Sequence, residues 1–180
     1  METTKNVMPQ FAKEFYARLG NYLDTKVYFY GSIQRADYFP NYSDIDADIF
    51  TDNESRTIIQ LQNLLGLKRS DFHKFIYKLH ATNRVSYGYK VAYTSPENNF
   101  ITEISIYNEK YKADVLTEHN SKVNLPFYVL YMLIALKFLY YNMGIVPTNT
   151  FKYLKRLIIN YMVTGQKEAV FIMTDIHTTK

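Results

Sequence analysis

Between residues 27 and 50 the chain alternates in a way that leaves few folds open. Val27-Tyr28-Phe29-Tyr30 and Ile45 to Phe50 are apolar runs joined by a loop carrying Pro40 and Asn41, the pattern of two strands with an irregular connection. Residues two apart on a strand share a face. Ile45, Ala47 and Ile49 therefore form a core-facing row, while Asp44 and Asp46 project together from the other side. Two carboxylates on one face repel unless something positive sits between them. Magnesium, which takes carboxylate oxygens completed by water and phosphate oxygens, is the natural candidate.

The order of strand, Gly31-Ser32, the loop 33–43, Asp44-Ile45-Asp46 and a second apolar strand resembles the signature of the polymerase β nucleotidyltransferase superfamily. Arg35 stands where many small members carry a basic residue, and Ser43 completes the Ser-Asp-Ile-Asp form of minimal members. The resemblance is specific over residues 27–50 and weaker to residue 117. It implies an α+β fold: a palm of mixed, mostly antiparallel β-sheet flanked by helices, with C-terminal helices added. In the family pattern the Gly31 and Ser32 backbone and the Ser32 hydroxyl hold a nucleoside triphosphate, glycine being needed where backbone approaches a phosphate closely. Asp44 and Asp46 would bind two Mg²⁺ or Mn²⁺ ions. Asp48 continues their face where members usually carry an apolar residue; a metal aid or a pairing partner for a lysine is open, and a solvated strand end is the favoured reading.

Phe11, Phe15, Leu19 and Leu23 recur at about one turn and predict an opening helix entered near Pro9. Ile58, Ile59, Leu61, Leu64 and Leu65 mark a second helix that Gly66 terminates. Ser70 would cap a third, with Phe72, Phe75, Ile76 and Leu79 on one face and His73 and His80 solvated off it. From Val85 to Leu116 the composition turns to Tyr, Val, Thr and Ile with turn clusters near Pro96 and Asn108, which predicts a three-stranded antiparallel meander. Its last strand, Tyr111 to Leu116, places Asp114 where the family pattern asks for a third carboxylate, one that would hold a metal and accept the proton of the attacking hydroxyl. Glu103, on the preceding strand, is the rival acid.

The run 125–144 opens with Pro126 and closes with Gly144, the usual asymmetry of a helix. It is apolar on nearly every side, yet it is at the short limit for a bilayer span and contains Lys137 and four tyrosines, so a buried core helix is expected. Lys137 must snorkel outward or meet an anion. The resemblance offers the triphosphate as that anion, since several subgroups place a lysine in the helix after the palm. A final helix, about Asn149 to Val163, carries Lys152, Lys155 and Arg156 on a face read as solvated, with phosphate or nucleic-acid contact as the alternative.

A chain of 180 residues with an apolar fraction of 47% fits one domain. The expected arrangement is a single nucleotidyltransferase domain over 1–180, with a palm core in 1–120 and packed C-terminal helices in 121–165. Net charge +4 permits a polyanionic partner without requiring one. The absence of cysteine excludes disulfides and thiolate metal sites. Polar opening residues show no secretory signal, and Asn-x-Ser sequons at Asn41 and Asn53 would crowd the site if glycosylated. An intracellular, cytoplasmic protein is expected, with the nucleus not excluded. The resemblance then implies transfer of a nucleoside monophosphate from a triphosphate to a hydroxyl acceptor, releasing pyrophosphate. An RNA or DNA 3′ end is slightly favoured over a protein or small molecule. The alternative is a catalytically inactive palm that binds nucleotide or RNA as a regulatory module.

Overall fold

The computed structural model describes residues 2–97, 100–159 and, for the backbone, 171–174. Helix α1 (Gln10–Leu23) leads into β1 (Val27–Tyr30), a 3-10 turn (Gly31–Gln34), β2 (Ile45–Thr51) and α2 (Glu54–Leu65). Strands β3 (His73–Leu79), β4 (Arg84–Thr94) and β5 (Ile101–Asn108) follow. The chain continues through α3 (Lys112–Ser121), α4 (Phe127–Tyr141), α5 (Thr148–Ile159) and β6 (Phe171–Thr174). The six strands form one sheet in the order β1-β2-β5-β4-β3-β6. Only β2 and β5 run parallel among these pairings. The expected α+β palm is thus the observed architecture.

One sheet face is covered by α1 and α2. Ala12, Phe15, Tyr16 and Leu19 of α1 and Ile58 and Leu61 of α2 share a core with Ile45, Ala47 and Ile49, the row expected to face inward. The Tyr16 hydroxyl is satisfied within it by Thr102 Oγ1 at 2.7 Å and the Ile45 carbonyl at 3.2 Å. Asn53 caps α2 by accepting from the Arg56 amide at 3.0 Å, and Gly66 closes it in the left-handed conformation. The opposite face carries Tyr28, Phe50, Phe75 and Tyr107 against Val115 of α3.

Two expected elements change type. Residues 73–79 form a strand, not a helix, because a short apolar run fits either period and the ladder to β4 decides: Phe75 pairs with Gly88 and Leu79 with Arg84. Gly88 is required at that pairing, since a Cβ would lie 2.6 Å from the Ile106 carbonyl oxygen. His73 lies on this strand and His80 just beyond it, both half-buried. Residues 112–121 form a helix, not the third strand of a meander. β5 already has β2 and β4 on its two edges, so no edge remains for a returning strand. The chain instead turns at Asn108, whose side chain accepts from the Lys110 amide, and Val115 and Glu118 bury one helical face.

Helix α4 buries Val129, Leu133 and Leu136 against Phe151 and Ile158 of α5, and also buries Lys137. The remainder of α4 is open, with Phe127 74% and Tyr131 68% exposed, so it is a one-sided rather than an all-round core helix. No helix among the described residues is long and apolar enough to cross a membrane. The predicted end of the last helix, 160–163, lies outside the described residues.

Candidate active site

The row Asp44, Asp46, Asp48 leaves the core side of β2, and each acid meets a different environment. Asp46 lies opposite Tyr30 of β1 on one side and Glu103 of β5 on the other. Its carboxylate packs against Gly31: a Cβ there would stand 2.1 Å from Asp46 Oδ2, and Gly31 has φ +74°. Both the left-handed backbone and the close approach demand glycine. Burial pushes the Asp46 carboxyl up to about 8, and the charges of Asp44 and Glu103 add to the rise. The Ser32 hydroxyl is buried beside it with no hydrogen-bond partner.

Asp48 is fully buried, contrary to the expectation of a solvated strand end. Its Oδ2 lies 2.7 Å from Nε2 of His119 on α3, an ion-pair separation without the alignment of a hydrogen bond. The His119 ring stacks on Tyr30, centroids 4.1 Å apart.

Asp114 does not join the cluster. It sits in the first turn of α3 and pairs with Arg84 at 3.1 Å. Arg84 opens β4, six residues from Lys90, or about 20 Å along an extended strand. The acid brought beside Asp46 is Glu103, because β5 is the parallel neighbour of β2 and their register aligns the two. Glu103 forms an ion pair with Lys90 of β4.

Lys137 meets an anion, though one supplied by the protein. Its Nζ donates to the Asp37 carbonyl at 2.6 Å and lies 3.0 Å from Asp37 Oδ2 and 3.4 Å from Ser43 Oγ. Arg35 reaches the same carboxylate with Nε at 2.8 Å and a second nitrogen at 3.2 Å. Burial alone would raise the Asp37 carboxyl, but hydrogen bonds and charge from Arg35, with the charge of Lys137, hold it below its usual value. Burial lowers the Lys137 ammonium, and Asp37 opposes that. This buried triad fastens the loop after the Gly31–Ser32 turn to α4.

The cation nearest the acids in effect is Lys155 of α5. Burial lowers its ammonium, yet Asp44 and Asp46 outweigh burial and raise it. With Gly31, Ser32, Arg35, Asp46, Lys90, His119 and Lys122 it lines a cavity of about 240 Å³. Of its four cationic side chains, Arg35 pairs with Asp37, Lys90 with Glu103 and Lys122 with Glu118, and Lys155 is held charged by Asp44 and Asp46. Tyr30, Tyr77 and Tyr107 supply aromatic surface in the same wall.

The acids also fit divalent ions in donor chemistry: hard carboxylate oxygens, mutually repelling, with the Asp46 carboxyl pushed up by burial and by its acidic neighbours. They are not preassembled. Among the described residues no three acid or imidazole groups stand close enough together to hold an ion as placed.

The sequence profile of the nucleotidyltransferase domain matches residues 8–119. That is more than half of the 180 residues and takes in α1, the Gly31–Ser32 turn, the whole of β2 and β5, and most of α3. The chain belongs to the nucleotidyltransferase domain family. Nucleotidyl transfer is the chemistry of that family. Solved structures similar to it include the GLD-2/RNP-8 complex, at 13% identity over 87% of this chain and 56% of that one, TM-score 0.39. Cid1, whose structure is described in terms of RNA terminal uridylyl transferase activity, matches at 14% over 74% and 41%, TM-score 0.35. Terminal uridylyl transferase 4 from Trypanosoma brucei with bound dUTP matches at 10% over 89% and 60%, TM-score 0.33. The chain thus spans between 41% and 60% of the length of these structures. No curated protein sequence matches it.

In this nucleotidyltransferase domain, sequence reasoning passed over Lys90, His119, Lys122 and Lys155 as site residues. Lys155 was visible only as one member of a basic face, where Lys152 and Arg156 are exposed and Lys155 is half-buried. Lys90 carried one usable signal, a lysine inside a predicted strand, and only the register of β4 on β5 brings it to Glu103.

Proposed function

We propose that the protein transfers a nucleoside monophosphate from a nucleoside triphosphate to a hydroxyl acceptor, with release of pyrophosphate, using two divalent cations. The observation that carries this reading is Asp46, which lines a cavity with the Gly31–Ser32 turn and cationic side chains, has Glu103 opposite it in the sheet register, and feels the charges of both Asp44 and Glu103. Glu103 takes the third-carboxylate role that the sequence assigned to Asp114. Gly31 and the unpartnered Ser32 hydroxyl receive the phosphate oxygens, and Lys155, with Arg35 at the cavity wall, balances their charge. Lys137 acts on this site through Asp37, as a buried support. Mg²⁺ or Mn²⁺ held by Asp44, Asp46 and Glu103 would supply charge stabilisation for the attacking and leaving oxygens. Glu103, with its side chain 37% exposed, would accept the proton of the acceptor hydroxyl.

The acceptor we favour is an RNA or DNA 3′ end. The exposed Lys152 and Arg156 on α5, the helix that delivers Lys155 to the cavity, support it. The test is incubation with each labelled triphosphate and Mg²⁺ or Mn²⁺ against RNA, DNA, protein and small-molecule acceptors. Transfer that is lost in Asp44→Asn, Asp46→Asn and Glu103→Gln but kept in Asp114→Asn is expected. Triphosphate binding with no transfer to any acceptor would instead favour a binding module, and loss in Asp114→Asn with retention in Glu103→Gln would return the third role to Asp114.

A further inference from the structure

The third carboxylate is already occupied. Across β2, β5 and β4 the register sets Asp46 opposite Glu103 and Glu103 opposite Ala92. Lys90 lies two residues from Ala92 on the same face, and a long side chain reaches such a diagonal neighbour. Ala92 offers Glu103 no polar group, and Lys90 forms the ion pair with it. The ammonium also lines the cavity and lowers the cost of charge on Asp46. Glu103 is 37% exposed at its side chain against 16% for Lys90, so the carboxylate has room to swing while the lysine is held by the sheet. The acids as placed do not form a three-ligand cluster, and the one of them on β5, Glu103, is paired with Lys90 of β4.

We propose that Lys90 is a positioning residue, a resident counter-cation that holds Glu103 and competes with the divalent ion for it. Glu103 then joins Asp44 and Asp46 only as the ion displaces the ammonium. Lys90 would thereby set the affinity and the order of cation binding, and the freed ammonium would remain in the cavity wall. This rests on the metal-dependent reading above.

The experiment is equilibrium Mn²⁺ binding to the full chain, followed by electron paramagnetic resonance of free Mn²⁺, with unfolding midpoints recorded for every variant. Lys90→Met should bind Mn²⁺ about two- to fivefold more tightly, the range expected on removing a competing, partly exposed ion pair. Lys90→Arg, which keeps the pair, should stay near the parent. Glu103→Gln should weaken binding, and Lys90→Met should add no gain in that background. Equal or weaker binding by a folded Lys90→Met protein overturns the proposal, as does a gain that persists without the Glu103 carboxylate. If the parent protein shows no Mn²⁺ binding that Asp46→Asn abolishes, the metal reading falls and this proposal falls with it. Parent binding with an unresponsive Lys90→Met removes this proposal alone.

Discussion

Replacing Lys137 by methionine separates a phosphate contact from a structural support. The ammonium is 1% exposed and spends its donors on the Asp37 carbonyl, the Asp37 carboxylate and Ser43. At the observed 3.0 Å to Asp37 Oδ2, Coulomb attraction at an effective dielectric of 20 is about 5 kcal/mol, and burying both charges offsets much of it. Breaking one partner from a buried pair typically costs about 3–5 kcal/mol because the other charge is left behind. Arg35 still grips Asp37 with two bonds, which places the cost near the low end, about 3 kcal/mol. For a chain of this size that is roughly a 6–12 °C fall in melting temperature. The assay is urea denaturation beside triphosphate affinity, the latter measured at a temperature where the variant stays folded. The expected result is a large loss of stability with affinity changed less than about twofold, under 0.5 kcal/mol. Unchanged stability with tenfold weaker triphosphate binding would refute the reasoning and make Lys137 a phosphate ligand.

Gly31→Ala forces a Cβ to within 2.1 Å of Asp46 Oδ2 at φ +74°, so nucleotide affinity should fall more than the roughly 1–2 kcal/mol of stability that left-handed backbone costs; calorimetric binding beside denaturation compares the two. His119→Ala removes the imidazole that faces the buried Asp48 carboxyl group and should cost about 1–3 kcal/mol, while Asp48→Leu with His119→Leu should recover most of it; urea midpoints of the single and double variants decide. The Asp46 carboxyl, raised to about 8, keeps in the folded state a proton that the unfolded chain releases near pH 4, about the free aspartate value. Metal-free protein should therefore lose stability as pH rises from about 4 to about 8, and Asp46→Asn should flatten that dependence, read from melting temperatures across the range.

The motif residues were legible in sequence because their logic is local. The strand period alone puts Ile45, Ala47 and Ile49 in the core and Asp44 and Asp46 on the other face. Gly31 was legible for a related reason, though the structure adds a cause: the Asp46 side chain occupies the space of its missing Cβ. Residues 73–79 were misread because Phe72, Phe75, Ile76 and Leu79 fit a helical stripe as well as strand faces. Residues 112–116 were misread because alternation was visible and the filling of both edges of β5 was not.

Sequence by itself thus determined the paired aspartates and the glycine that lies against them, each set by backbone period or by side chains close along the chain, and the palm followed from what the family resemblance implied. Which third acid reaches them was a matter of strand order: making β5 the parallel neighbour of β2 delivers Glu103 and leaves Asp114 on α3 with Arg84. Which lysine serves the acids was likewise decided by packing, since the triad with Arg35 and Asp37 takes Lys137 and the seating of α5 brings Lys155 to Asp44 and Asp46. Charge partners far apart in sequence are chosen by sheet register and helix docking, and neither has a local signature.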